Sequence, residues 1–359
     1  MVASGVLQII GLTKRYGATA ALDNVSLDIP SDCYVSLLGA SGSGKTVLLR
    51  VIAGFEEADA GAIVFAGRQM VGVPAYRREI GFVFQNFALF PHLSVFANIA
   101  FGLENSAKGP LGDRNESRDR VHAMIALVGL SGLESRGVHQ ISGGQRQRVA
   151  LARTLVTEPR LILLDEPLGA LDANLRMRMR GELRRIRERL GVTFLHVTGS
   201  EAEALAMGDR VVVLDRGRVG QFDTPDVVFT RPASPAVAKS LNCYNLFRGK
   251  IDAGLFIAED RRFKIAAPKA KSADISYAIR QDAITIRDRD AEIEPDEDSI
   301  SARYVASEYT GSAFMYFFRS KSGAIIEVEN HLSHRAMQNL DVDTDYTLVW
   351  KSEHGLVFG

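Results

Sequence analysis

From about residue 5 to residue 230, short apolar runs alternate with longer stretches of helical periodicity, which predicts an α/β domain. The run VSLLG, Val35 to Gly39, reads as a buried strand feeding a glycine-rich turn, and TVLLRVIAG behind it reads as a helix. LILLD, Leu161 to Asp165, and VVVL, Val211 to Leu214, read as two further buried strands. From Leu175 onward, Leu175, Met179, Leu183, Ile186 and Leu190 keep helical spacing while arginines fill the positions between. That is the pattern of a helix with a solvated charged face.

The texture changes at RPASPAVA, Arg231 to Ala238, whose two prolines and small residues mark the passage into a second domain. Beyond Asn242 come short alternating or apolar runs, LFRGKI, SYAIR, AITIR, SAFMYFF, AIIEVE and YTLVW. They are separated by turn residues and by an acidic loop near Asp288 to Asp298. They predict a small all-β module, a barrel of OB-like character. The expected organisation is an α/β domain over residues 5–235 and an all-β domain over 242–359.

Composition removes several classes of function. The 43 basic and 43 acidic residues cancel, so no whole-chain field draws in nucleic acid or an anionic membrane. Cys33 and Cys243 lie far apart with no CxxC or Cys/His spacing, which predicts neither a disulfide framework nor a zinc site and fits a reducing cytoplasm. No stretch reaches the ~18 apolar residues of a spanning helix, and the amino terminus MVASGVLQIIGLTKRYG lacks the pattern of a secretion signal. Work at a membrane therefore requires docking on a protein that spans it.

The chemistry is concentrated in three motifs. Gly39, Ala40, Ser41, Gly42, Ser43, Gly44, Lys45 and Thr46 spell G-x-x-x-x-G-K-[ST] between a predicted strand and a predicted helix. The glycines let backbone N–H groups wrap a phosphate at a helix N-terminus, Lys45 is expected to neutralise the β and γ phosphates, and Thr46 to offer its hydroxyl to Mg²⁺. In LILLDEP, Asp165 at a strand end is expected to hold Mg²⁺ through water, with Glu166 as base for the attacking water. In ISGGQRQRVALARTL, Ser142, Gly143, Gly144 and Gln145 open a helix whose positive end makes a second anion site. An N-capped helix with glycines for close packing is the alternative reading.

ISGGQ resembles the signature of ABC ATPases, and the resemblance covers nearly the whole first domain. It implies a P-loop NTPase fold with a RecA-like core and an inserted helical subdomain over about 85–158, and a dimer in which each signature completes the other subunit's ATP site. Tyr16 in KRYG is similar to the aromatic that stacks on adenine, although an isolated Tyr more often packs. Gln85 resembles the Q-loop glutamine that touches Mg²⁺ and the attacking water. Asp172 in LGALD matches the D-loop. FQNFALFPHLSVFANIAFGL, EPLGALDANLR and the appended β module resemble the import branch whose ATPases end in a transport-associated OB domain. Polyamine and opine importers are most similar, with ferric iron, sugar and thiamine systems close behind. The implied partners are integral membrane permease subunits, a second ATPase subunit and, indirectly, a solute-binding protein. The implied location is the cytoplasmic face of the inner membrane.

Two positions depart from that family. Where it carries a switch histidine, in wording like VTHDQEEAL, this chain reads VTGSEAEAL and has Gly199. His196, three residues upstream on a strand, is expected to face the other way and pack. Val47 replaces the usual hydroxyl residue beside Thr46. ATP binding is therefore expected to survive better than hydrolysis, either in a heterodimer with a complete second ATPase or in a slow homodimer. A regulatory ATP-binding subunit and a soluble ABC ATPase are the alternatives.

Overall fold

The computed structural model describes residues 5–105, 114–169, 171–258, 261–264, 275–333 and 337–359. The helical-subdomain expectation over 106–113, Ala170 of LGALD and the first four residues lie outside the described residues. The chain divides into one unit up to Thr230 and another from Arg231.

The first unit begins with β1 (Leu7–Tyr16), β2 (Thr19–Ile29), β3 (Tyr34–Leu38), α1 (Lys45–Ala53), β4 (Ala60–Phe65), β5 (Arg68–Gln69) and β6 (Gly81–Val83). It continues through α2 (Val95–Glu104), α3 (Arg114–Leu127), α4 (Gly143–Leu155), β7 (Leu161–Asp165) and α5 (Ala173–Leu190). It closes with β8 (Thr193–Val197), α6 (Glu201–Met207), β9 (Arg210–Asp215), β10 (Arg218–Asp223) and α7 (Pro225–Thr230). One sheet runs β10-β9-β3-β8-β7-β6, parallel except for β10, and a smaller antiparallel sheet runs β2-β1-β4-β5.

The parallel strands are buried on both faces, which is why they read as continuous apolar runs. Their period of two separates two cores. Ile162, Leu164 and Phe194 pack with residues of α2, α3, α4 and α5, while Leu161, Leu163, Leu195 and Val197 pack with α1 and the antiparallel sheet. On α5, Met179, Leu183 and Ile186 are buried as the spacing predicts, but Leu190 is exposed where the helix ends at Gly191. The arginines of this helix reach carboxylates on neighbouring elements, as in Arg180–Glu203 at 3.8 Å and Arg187–Asp209 at 3.3 Å, and its Glu182 pairs with Arg148 of α4 at 2.6 Å.

The second unit starts with α8 (Pro235–Ser240), inside the segment expected to be a passage. Ser234 caps it, accepting from Val237 N at 3.3 Å, and Pro235 sits in the first turn where its missing N–H costs nothing. Then follow β11 (Tyr244–Asp252), β12 (Leu255–Ala258), β13 (Arg261–Lys264), β14 (Ile275–Arg280) and β15 (Thr285–Arg287). The unit ends with β16 (Glu297–Tyr309), β17 (Ala313–Arg319), β18 (Ile325–His331), β19 (Asp345–Lys351) and β20 (Leu356–Phe358). Two five-stranded antiparallel sheets, β13-β12-β11-β14-β20 and β15-β19-β16-β17-β18, enclose one aromatic core around Phe256, Phe263, Tyr277, Phe318 and Trp350. Glu297 and Asp298, expected in an acidic loop, open β16 instead. Arg287 pairs with Glu297 at 2.8 Å, and Lys264 N donates to Asp298 at 2.9 Å.

Candidate functional site

Three strands of the parallel sheet bring the chemical residues to one end. β3 runs into Gly39–Gly44, β7 ends in Asp165 and Glu166, and β8, which lies between them in the sheet, leads to Gly199. Ligands of open α/β sheets bind at such carboxyl ends.

The loop after β3 needs its glycines. Gly44 has φ of 100°, and a Cβ there would stand 2.3 Å from the Ala21 carbonyl oxygen. Gly44 is also the N-cap of α1, with no side chain capping it, so the helix opens on bare amides. Ala40 accepts from Ser43 N at 3.1 Å, and Ser41 and Gly42 are exposed at the tip. Lys45 is buried, and its Nζ donates to the carbonyls of Gly39 at 2.6 Å and Ala40 at 2.9 Å. Burial lowers its pKa, while the charges of Glu166 and Asp165 raise it. The Ser43 hydroxyl is buried without a partner among the described residues. A loop with an orphan hydroxyl, an uncapped helix and an ammonium folded onto its own carbonyls fits a polyphosphate.

Burial raises the pKa of Asp165 first and Glu166 adds to it, while Arg50, the Thr46 hydroxyl and Lys45 oppose both. Thr46 and Asp165 are thus neighbours, an all-oxygen pair suited to Mg²⁺. Glu166 has a left-handed φ of 44°, and its carboxylate accepts from Gln85 Nε2 at 3.0 Å. Val47 packs partly buried against the core on the α1 side.

Ser142 caps α4 through a capping box. Its Oγ accepts from Gln145 N at 3.3 Å, and Ser142 N donates to Gln145 Oε1 at 2.8 Å. Gly144 permits close packing, since a Cβ there would lie 2.9 Å from Leu175 Cδ1, whereas Gly143 has more room. Both features of the bland reading are therefore present, and Ser142 is exposed at the same helix end. Asp172 caps α5, accepting from Leu175 N at 2.9 Å.

Tyr16 ends β1 half exposed and donates its hydroxyl to Glu56. At Gly199 a Cβ would meet nothing within 4 Å. His196 is fully buried among Tyr34, Phe194 and Met207, its Nδ1 3.0 Å from the Tyr34 hydroxyl and its Nε2 3.7 Å from Glu203. Burial pushes its pKa down to about 3, with Arg180 adding to the effect, so it is a neutral packing residue.

Sequence reasoning missed Arg153, which holds the segment after Gln85. Its guanidinium donates to Ala88 O at 2.7 Å and Phe87 O at 2.9 Å, where both residues have positive φ. No spacing rule links α4 to that segment, so nothing in the chain announces the contact.

Residues 22–169 match the ABC transporter family and residues 277–358 the TOBE domain. The chain is 39% identical over 360 residues to the spermidine/putrescine import ATP-binding protein PotA of Rubrobacter xylanophilus, covering 98% of this chain and 93% of that one. It is 37% identical over 351 residues to the sulfate/thiosulfate import ATP-binding protein CysA of Bacillus cereus, covering 97% and 96%. Among solved structures it resembles the dimeric ATP-binding cassette MJ0796 in a post-hydrolysis state bound to ADP and Pi. That match has a TM-score of 0.54 and 30% identity, covering 61% of this chain and 98% of that one. With a phosphate loop, an acidic strand end and a capped signature helix followed by an all-β domain, the chain belongs to the ABC transporter ATP-binding proteins of the import branch.

Proposed function

We infer that this chain is the ATP-hydrolysing subunit of an ABC importer, energising solute uptake through separate membrane subunits from the cytoplasmic face of the inner membrane. The observation that carries the reading is the convergence of Lys45, Thr46, Asp165, Glu166 and Gln85 at one end of the parallel sheet. ATP is held by the loop amides and Lys45, with Tyr16 at the base. Thr46 and Asp165, with Gln85, hold Mg²⁺, which when bound neutralises charge on the β and γ phosphoryl oxygens. Glu166 accepts the proton of the attacking water, and Gln85, already bonded to it, orients that water. Ser142, Gly143, Gly144 and Gln145 of one subunit close over the nucleotide of a second ATPase subunit, with Asp172 at the contact between them.

The solute is read elsewhere. Relatives named for a polycation and for a dianion match this chain at 39% and 37% identity, as expected of a subunit that never touches its cargo. A polyamine or related small solute is our assignment, on the wording of the second domain.

Gly199 favours a second reading of the site's rate. With His196 sealed in the core and no side chain at 199, this chain holds ATP better than it cleaves it, and its intact signature serves a different, complete ATPase in a heterodimer. Tagged full-length chain purified from its native membrane tests the main reading. Co-purifying integral membrane subunits that stimulate phosphate release support it, whereas a chain recovered free of membrane proteins and bound to DNA or ribosomes overturns it.

A further inference from the structure

Tyr16 is held on two sides. Its hydroxyl donates to Glu56 Oε2, and the other carboxylate oxygen of Glu56 accepts from Arg50 of α1 at 3.3 Å. The ammonium of Lys14 stands 5.5 Å from the ring centroid. Lys14 is itself kept there by Asp59 at 3.8 Å, a residue whose backbone N–H donates to Thr13 O at 2.9 Å. Half of Tyr16 remains open to solvent although it sits at the tip of a hairpin, where Gly17 takes φ of 59° in the tight turn to Thr19. An exposed tyrosine at a hairpin tip normally samples several rotamers. This one has its rim pinned by a carboxylate and a cation set against its ring.

We propose that Glu56 and Lys14 are positioning residues that hold the Tyr16 ring as a fixed platform, with its open side presented to the purine of the bound nucleotide. The inference rests on Tyr16 being the base-stacking residue. Glu56 joins that platform to α1 through Arg50, so the helix that receives the phosphates at its N-terminus also fixes the base contact near its other end. A preorganised ring gives up less freedom on binding than a mobile one, and the gain appears only with ligands that carry a base. The Glu56 bond is the largest cause of the raised pKa of the Tyr16 hydroxyl.

The test compares two probes on the full-length chain by calorimetry, Mg²⁺ with a non-hydrolysable ATP analogue and Mg²⁺ with inorganic tripolyphosphate. Tyr16→Ala should weaken the analogue at least tenfold and leave tripolyphosphate unchanged. Glu56→Ala and Tyr16→Phe should each weaken the analogue about fivefold, the size of one exposed hydrogen bond. The double variant should be no worse than either single one, because both remove the same bond. Lys14→Met should weaken the analogue by about threefold. Unchanged tripolyphosphate binding reports an intact fold in every variant. If Tyr16→Ala weakens the analogue while Glu56→Ala does not, or if the two losses add, the positioning role is wrong though the base contact stands. If Tyr16→Ala leaves the ratio of the two affinities unmoved, the base-stacking reading fails and the platform with it.

Discussion

Gly199→His is the perturbation that separates binding from turnover. The position lies just past β8, a Cβ built there meets no atom within 4 Å, and its backbone is outside the left-handed region. A side chain therefore starts from this position without backbone strain. Removing the glycine's freedom in the unfolded chain should stabilise the protein by about 0.5–1 kcal/mol. The added group meets a site in which Glu166 is the proposed base and Gln85 is bonded to it at 3.0 Å, so what it would contribute is orientation of water and contact with the terminal phosphate. Positioned groups of this kind supply about 10²–10⁴ in rate, and with the base present the lower end applies, ~100-fold or about 2.7 kcal/mol. The KM should stay within about threefold, because the loop from Gly39 to Thr46 is untouched. Phosphate release by the full-length chain at saturating Mg²⁺-ATP measures this, with Glu166→Gln as the zero in both backgrounds. Wild-type turnover near the ordinary enzymic ~10 s⁻¹, unchanged by the histidine, would refute the reasoning that Gly199 limits hydrolysis.

Two further outcomes follow from geometry. Gly44→Ala should lower stability by about 2–4 kcal/mol in urea unfolding and abolish nucleotide binding, since its Cβ falls 2.3 Å from the Ala21 carbonyl at a φ of 100°. Gly42→Ala, at φ of 79° with nothing within 4 Å, should lose only about 1 kcal/mol. The buried His196 ties stability to pH. Its folded pKa of about 3 lies below the ordinary 6.5, so the unfolded chain takes the proton first and stability falls as pH drops below ~6.5. Between pH 7 and pH 5 the wild type should lose about 2 kcal/mol more than His196→Phe in parallel denaturant titrations, and equal losses would show that the imidazole is not sealed as described.

What the chain disclosed about itself depended on how local the cause was. β3, β7 and β9 were legible because both their faces are buried, and the loop from Gly39 to Thr46 because its chemistry lies within consecutive residues. The sheet of β1, β2 and β4 went unread. Its alternation is broken by register shifts between Ile9 and Leu12 and again around Lys14, so no clean period of two survives. Glu297 and Asp298 looked like loop because carboxylates rarely start buried strands, and the partners that admit them, Arg287, Lys351 and the amide of Lys264, come from other strands. The site divides the same way. Lys45, Asp165 and Glu166 announce themselves, whereas the bond from Gln85 to Glu166, the grip of Arg153 on Phe87 and Ala88, and Glu56 on Tyr16 exist only once the chain is folded.

The two helix ends proposed to bind phosphate are prepared differently. Lys45 uses two of its three N–H donors on the carbonyls of Gly39 and Ala40, so a triphosphate entering the loop meets one free donor and gains the others only by displacing those bonds. At the signature, the capping box uses a lone pair of Ser142 Oγ and the Ser142 amide, and leaves the hydroxyl proton to donate outward. That end can receive a phosphate without rearranging. The order of events this favours is nucleotide first into the loop, with local reorganisation, and signature closure second, with almost none. A chain lacking the switch histidine is impaired only after both steps, at cleavage. It therefore keeps the signature that would close a partner's site, so on the heterodimer reading proposed above slow cleavage at its own loop still leaves a working pair.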